Sequence, residues 1–376
     1  MNYLDNAATT LPKPPRVIQA VREAMESMAS PGRGGHEAAM RAAETVFRCR
    51  EAAAEMFHVS APENVVFTLN ATHALNLALH TMVHRGTRVL ISGFEHNAVT
   101  RPLHALGARI RIAGRRVFDH ADTLQSFERE ICGAELVVCT HVSNVFGYVL
   151  PIQEIAQLCQ KHGVPLVVDA SQSAGILPID MQQLGAAFLA MPGHKALFGP
   201  QGTGMLLCGA PVKPLLYGGS GSDSIMQQMP SYLPDRLEAG THNVCGIAGL
   251  LAGMETVRAL GTDTIAEHER ELVQLMIREL EDSDLVLFAG EGEIQCGVLS
   301  LLSDRMDCES LAAALAERGI CVRSGLHCAP TAHESAGTLD SGTVRFSFSP
   351  YVTASQVKAA CGALREILET GETEIS

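Results

Sequence analysis

The chain of 376 residues has no tryptophan and no Cys-x-x-Cys pair. It also has no apolar run near the roughly 18 residues that a membrane-spanning helix needs, so no membrane role is expected. The missing tryptophan carries no functional information. The missing Cys-x-x-Cys argues against zinc ribbons and thioredoxin-type motifs, and no metal site is expected. Eleven cysteines are an odd number in a long chain, so a disulfide scaffold is not expected and a reducing, cytoplasmic setting fits better. Basic residues are scarce. Lys and Arg number 28 against 41 Asp and Glu, a formal net charge of −13. Nucleic-acid binding is therefore not expected, because phosphate contact needs a basic face. The one Arg-rich run, "RIRIAGRR", is short and reads as a solvated strand edge. "MNYLDNAATT" has neither a basic n-region nor an apolar h-region and is not read as a signal peptide.

What the chain does have is 47% hydrophobic residues against 18% charged, in a length suited to about two or three domains. Apolar period predicts helices at Val17, Val21, Met25, Met28 and across "EAAMRAAETVFRCREAAAEMF". "NVVFTLN" reads as a strand and "ATHALNLALHTMVHRG" as a helix closed by Gly86. "RVLISG", "LVVCTHVSN", "PLVVDAS", "FLAM" and "GTGMLLCG" read as further strands, separated by helices or turns. Such alternation predicts an α/β fold with a mostly parallel sheet covered on both faces. This large domain is expected over 13–255. The Gly/Pro/Ser-rich "KPLLYGGSGSDSIMQQMPSYLPD" reads as a long loop, and loops of that length are functional or disordered. "DTIAEHERELVQLMIRELED" predicts a bridging helix. Then "CGVLSLLS", "CESLAAALAERG", "ICVRSG", "TVRFSFS" and "ASQVKAACGALREIL" predict a small α+β domain within 256–376. Residues 1–12 stand apart as an N-terminal segment.

The chemistry starts with two residues at strand ends. Asp169 ends the apolar run in "VVDASQSAG", and Lys195 follows the next one in "AMPGHKALFGPQGTG". Alone, the first reads as a turn or cap residue and the second as a solvated lysine. Together they match the needs of pyridoxal phosphate: an amine for a Schiff base with the aldehyde, and a carboxylate to keep the pyridine nitrogen protonated. Open α/β sheets bind ligands at the carboxyl ends of their strands, where both residues fall. A phosphate site is expected where "FTLNATHALN" passes from strand to helix near Ala71. Free N–H groups of the first turn and the Thr72 hydroxyl suit an anion there, although a plain capped helix has the same pattern. His194 is a further candidate phosphate donor. His96, in "GFEHNAV", is placed to stack on the pyridine ring, or is a surface group after a strand. Asn144, in "HVSNVFG", and Gln172 are candidates for the cofactor's phenolic oxygen.

The series "YLDNAATT", "FTLNATHALN", "FEHNAV", "HVSNVFG", "VVDASQSAG", "GHKALFGPQGTG", "EAGTHN" and "RSGLHCAP" resembles the class V aminotransferase family of PLP fold type I. Within that family the chain is similar to cysteine desulfurases and selenocysteine lyases. The motifs run in family order from Tyr3 to Arg345. The resemblance implies a large domain with a seven-stranded-type sheet and a smaller C-terminal domain. It implies that Lys195 carries the cofactor, Asp169 pairs with the pyridine nitrogen and His96 stacks on the ring. It places Asn144 and Gln172 at the phenolic oxygen and Thr72 and His194 at the phosphate. Thr241 would reach the phosphate of a partner subunit, which implies a homodimer with shared sites. Arg345 would bind the substrate carboxylate; by alternation it shares a strand face with Ser347 and Ser349, opposite Val344, Phe346 and Phe348. A solvent-facing arginine would show the same alternation. Two positions depart from the family: Pro192 replaces a Ser or Thr before Gly-His-Lys, and His73 stands where an acid is usual.

Cys139, Cys159, Cys208 and Cys361 lie in apolar strands or helical faces and read as packing residues. Cys328 lies in a strand-to-loop exit that suits a partly exposed thiol. His327 either favours its thiolate or faces solvent. The implied reaction takes sulfur from L-cysteine as a persulfide on Cys328 and releases L-alanine, with selenocysteine as a possible second substrate. The short segment from Cys328 to Arg345 limits reach, so a separate sulfur-acceptor protein is expected. The alternatives are another class V enzyme (aminotransferase, racemase or β-lyase) that does not need Cys328, and a non-catalytic scaffold.

Overall fold

The computed structural model describes residues 1–32 and 34–370. The chain opens on a two-residue strand, β1 (Asn2–Tyr3), followed by helices Pro15–Ser27 and Glu37–Met56. The apolar runs then become β2 (Val65–Thr68), β3 (Arg88–Ser92), β4 (Arg109–Ala113), β5 (Leu136–Thr140), β6 (Leu166–Asp169), β7 (Phe188–Pro192) and β8 (Gly204–Cys208). They form one seven-stranded sheet in the order β2-β8-β7-β6-β5-β3-β4. Only β8 runs against its neighbours; the other pairs are parallel.

The burial pattern explains why these strands are apolar throughout. Val137, Cys139, Val168, Leu189 and Leu207 pack into one core. Their alternates Leu136, Val138, Val167, Phe188 and Leu206 pack into another. Successive side chains point to opposite faces, so a sheet covered on both faces has no polar alternate positions. "RIRIAGRR" supplies β4, the edge strand, with Arg109 exposed, in line with the solvated-edge reading.

Downstream come β9 (Leu285–Phe288), β10 (Val298–Ser303), β11 (Ile320–Cys321), β12 (Arg323–Gly325) and β13 (Thr343–Ser347). Four of them form an antiparallel sheet in the order β12-β13-β10-β9. Val344, Phe346 and Phe348 enter a core with Leu272, Met276, Leu311, Leu315, Val357 and Leu364. The expected alternation holds, but the opposite face is buried too: Arg345, Ser347 and Ser349 are all within 2% exposure.

Three local expectations change. The helix beginning at Ala71 ends at Met82, and Gly86, at φ +90°, instead turns the chain into β3. "ICVRSG" is two strands, because β11 pairs in parallel with β1 while β12 pairs with β13. A helix not singled out in the sequence, Val244–Leu260, packs on Pro15–Ser27 and Glu37–Met56. It meets helix Thr262–Leu280 at Gly261 with a bend of 79°. The expected boundary at residue 255 falls within the first of these helices. Among the described residues no single helix is long and apolar enough to cross a membrane.

The N-terminal segment belongs to this frame rather than standing apart. Leu4 is fully buried in the core of the small sheet. Asn6 N–H donates to Ser347 O, and Ala7 N–H donates to Ser347 Oγ at 2.9 Å.

Candidate active site

The carboxyl ends of β3, β5, β6 and β7 lie along one rim of the large sheet. Thr140, the last residue of β5, is the register partner of Asp169, the last of β6. Asp169 in turn pairs with Ala190 in β7. The chain leaving β7 carries Lys195. Burial pushes the Lys195 amine down to about 8, with Arg345 and Arg323 adding to the effect and Asp169 and Asp5 opposing it. Asp169 is buried, and its Oδ1 accepts from Ser171 N–H at 2.9 Å and Ser171 Oγ at 2.5 Å.

His96 caps helix Asn97–Ala105: its Nδ1 accepts from Ala98 N–H at 3.0 Å. That bond uses the Nδ1 lone pair, so a neutral ring carries its proton on Nε2. Burial holds its pKa down to about 4; Lys195 adds to this and Asp169 opposes it. A neutral ring beside Lys195 and Asp169 suits stacking on a cationic pyridine ring.

The expected phosphate end lies beside β8. Gly204 pairs with Thr68 on one side and with Pro192 on the other. A Cβ at Gly204 would lie 2.7 Å from the Asn70 backbone, so only glycine lets the turn before the helix at Ala71 lie against β8. Asn70 Oδ1 caps His73 N–H, leaving the first-turn N–H groups of Ala71 and Thr72 without intrahelical partners. Thr72 is exposed. His194 is half-buried, and its Nδ1 is buried without a partner. Pro192 closes β7 without disrupting it, because the next residue makes the bond: Gly193 N–H donates to Thr203 O at 2.8 Å. His73 turns back on its own loop, its Nδ1 accepting from Leu69 N–H. Thr241 is exposed on a segment anchored by Glu238, which is buried against the Arg50 guanidinium and accepts from Phe67 N–H. Arg50 also lies 4.4 Å over the Phe67 ring.

Gln172 Nε2 donates to Ala7 O at 3.1 Å, and Asn144 Nδ2 donates to His327 O at 2.8 Å. Both expected phenolic-oxygen residues thus also bind protein backbone. Arg345 is 1% exposed, which excludes the solvent-facing alternative. Its Nη2 donates to Asp5 Oδ1 at 2.6 Å and its Nη1 to Asn144 O at 3.0 Å, while Nε is buried without a partner.

Cys328 is exposed on a tight turn. His327 and Cys328 both have positive φ, 48° and 57°, which is costly for residues with a Cβ. Hydrogen bonds hold that geometry: His327 O to Asn144, and Cys328 O to Asn97 N–H at 2.7 Å. Behind it, Thr331 Oγ1 donates to Glu95 O and Ser335 Oγ to Gly93 O. Neither expected role of His327 holds. The side chain is 4% exposed, so it does not face solvent. Burial, Arg345 and neighbouring charges push its pKa down to about 2, so it offers no positive charge to a thiolate. Its Nε2 instead contacts Thr343 O and Oγ1 at 3.1 Å, and its ring stacks on His333. The packing cysteines fall as expected: Cys139, Cys159, Cys208 and Cys361 are buried, with thiol pKa values pushed up by burial.

Several participants had no signal of their own in the sequence. Glu95 is fully buried, accepting from Ser92 Oγ at 2.5 Å and Thr140 N–H at 2.8 Å, and burial raises its pKa to about 8. Thr9, Thr10 and Lys13 all donate to the carbonyl of His194, and Thr10 also to that of Lys195. Asp5 and Thr10 lie inside the quoted "YLDNAATT", but only the fold shows what they touch. The unsatisfied His194 Nδ1, the free helix-start N–H groups and the adjacent Lys195 and Asp169 fit pyridoxal phosphate.

The family model for class-V aminotransferases matches residues 2–360. A probable cysteine desulfurase of Methanothermobacter thermautotrophicus is 32% identical over 98% of this chain and 95% of its own. One from Aeropyrum pernix is 34% identical over 98% of this chain and 94% of its own. The structure of a cysteine desulfurase from Thermococcus onnurineus NA1 matches with a TM-score of 0.90 at 30% identity, covering 98% of this chain and 94% of that one. With the lysine, the carboxylate and the helix start at Ala71 on one sheet rim, these matches make the chain a member of the class-V aminotransferases, a family of pyridoxal-phosphate enzymes.

Proposed function

We propose that the protein is a cysteine desulfurase that takes the sulfur of L-cysteine onto Cys328 and releases L-alanine. The observation that carries this reading is the position of Cys328: exposed, and one hydrogen bond from the residue after His96. Cys132 is also exposed, but it precedes β5 and so lies at the opposite edge of the sheet.

Lys195, Asp169, His96, Thr72, Ala71 and His194 would hold pyridoxal phosphate, with Gln172 and Asn144 at its phenolic oxygen. Bound there, the cofactor supplies an electron sink for the substrate's α-carbon. Arg345 receives the α-carboxylate. The Lys195 amine, with a pKa near 8, takes the α-proton and returns a proton to the alanine skeleton. The Cys328 thiolate attacks the substrate sulfur; an S–S bond forms as the Cβ–S bond breaks. Sulfur is oxidised and carbon reduced within one step, so no outside oxidant is needed. The resulting persulfide passes to an acceptor thiol, most simply on a second protein that approaches the exposed turn. Selenocysteine fits the same site. Thr241, exposed beside the helix start, fits a homodimer with shared sites. The chain before the bend at Gly261 would form the cofactor-binding unit, and the chain after it the unit that presents Cys328 and Arg345.

The test is to incubate purified holoprotein with cysteine and with selenocysteine, measuring alanine with sulfide or selenide, beside Cys328→Ala. Absence of alanine from both substrates would refute the reading. Full activity of Cys328→Ala on cysteine would remove the persulfide step.

A further inference from the structure

We propose that Asp5 is a positioning residue for the substrate carboxylate: it fixes the Arg345 guanidinium so that Nε–H is left for the incoming amino acid. This rests on the reading that Arg345 is the carboxylate site.

Arg345 is buried with one counter-ion. Asp5 Oδ1 takes Nη2, the Asn144 carbonyl takes Nη1, and Nε keeps a hydrogen with no acceptor. A buried donor without an acceptor is rare in a folded protein and calls for an explanation; on this reading the acceptor is the substrate carboxylate. Arginine pairs best with a carboxylate through two parallel N–H bonds, and Asp5 uses only one of its oxygens on one nitrogen. The guanidinium is therefore held but not saturated. Arg323, its cross-strand partner, adds a like charge that Asp5 offsets, so without Asp5 the Asn144 carbonyl alone would hold the buried cation.

Asp5 is itself firmly placed. Leu4 before it is buried in the core, and Asn6 and Ala7 after it are bonded to Ser347. Further along the same segment, Thr10 Oγ1 donates to the Lys195 carbonyl at 2.9 Å. One short segment thus sets where the carboxylate-binding arginine and the lysine stand relative to each other.

The test uses holoenzyme and two amines, L-alanine and ethylamine, which differ in the carboxylate. Binding is read from the change in cofactor absorbance, so no sulfur chemistry is involved. The variants are Asp5→Ala, Asp5→Asn, Arg345→Ala and the double variant Asp5→Ala/Arg345→Ala. Asp5→Ala is expected to weaken L-alanine by about tenfold or more and to leave ethylamine unchanged. Asp5→Asn, which keeps an acceptor oxygen and the fold, is expected to fall between it and the wild type. The double variant should bind L-alanine no more weakly than Arg345→Ala. The proposal is overturned if Asp5→Ala binds L-alanine as tightly as the wild type or tighter, which would make Asp5 a competitor that substrate displaces. It is also overturned if both amines weaken equally, or if the two substitutions add. If Arg345→Ala does not reduce the preference for L-alanine, the carboxylate site lies elsewhere and the proposal falls with it. A protein that makes no sulfide yet passes this test would refute the desulfurase reading alone.

Discussion

The carbonyl oxygen of Cys328 accepts a hydrogen bond from the backbone N–H of Asn97, the residue that follows His96. The cysteine turn therefore takes the first backbone N–H of the helix that His96 caps. The thiol-bearing turn and the loop that carries His96 are thus joined by one backbone contact.

Asn144 is the second tether of that turn. Asn144→Asp would set a carboxylate oxygen against the His327 carbonyl and lose the 2.8 Å bond. Losing a buried bond and leaving its acceptor unsatisfied costs about 1–3 kcal/mol. Iodoacetamide should label Cys328 faster in Asn144→Asp than in the wild type, while alanine formation from cysteine drops. Unchanged labelling would show that the turn does not depend on this amide.

Burial, with Arg345 beside it, holds the His327 imidazole far below its usual range and so favours the neutral ring. The pH profile of Cys328 alkylation should then keep the same midpoint in His327→Gln. The variant should lose stability by about 1–3 kcal/mol in urea titration, since the contacts to Thr343 are buried. A shifted alkylation midpoint would restore a thiol-tuning role to the imidazole.

Glu95 has an opposite bias. Its folded pKa, near 8, exceeds its ordinary value of 4.5, so the folded state holds the proton more tightly. Stability falls as pH rises from 4.5 to 8, because the unfolded carboxyl ionises first. Glu95→Gln keeps an acceptor for Ser92 and Thr140 and needs no proton. It should be more stable than the wild type by about 1–3 kcal/mol at pH 8 and no more stable at pH 4.5. The histidines act on the acid side. His96, His141, His194 and His333 have folded pKa values near 4, below their ordinary 6.5, so they remove stability as pH falls from 6.5 to 4. Denaturant midpoints from pH 4 to 9 should show both slopes.

Lys195 carries a free amine well below the pH at which an ordinary lysine does. Uptake of pyridoxal phosphate by the apoprotein should speed up with a midpoint near pH 8 rather than near the ordinary 10.5. Asp169 holds that midpoint up, so Asp169→Asn should move it lower. A midpoint that rises in this variant would contradict the electrostatic account.

The strands and the Asp169–Lys195 pair were legible because a sheet covered on both faces writes itself as β-branched runs, and polar residues at the ends of such runs stand on the sheet rim. Arg345 was legible as a position on a strand but not as a buried cation, since its counter-ion comes from the other end of the chain. The turn at His327 and Cys328 was opaque for a related reason. Its left-handed backbone has no glycine to announce it and is held by Asn97 and Asn144, far away in sequence. Val83 shows the reverse error: nothing in "HTMVHRG" marks where the helix stops, and only the extended chain into β3 does.

The interleaving of residues 2–10 with β11 and β13 has a consequence for biosynthesis. Asn6 and Ala7 wait for Ser347, and β1 waits for β11. A ribosome must therefore release nearly the whole chain before Lys195 acquires its surroundings. Nascent chains stalled before residue 347 should carry the lysine while residues 2–10 still lack their partners, so the site is completed only late in synthesis.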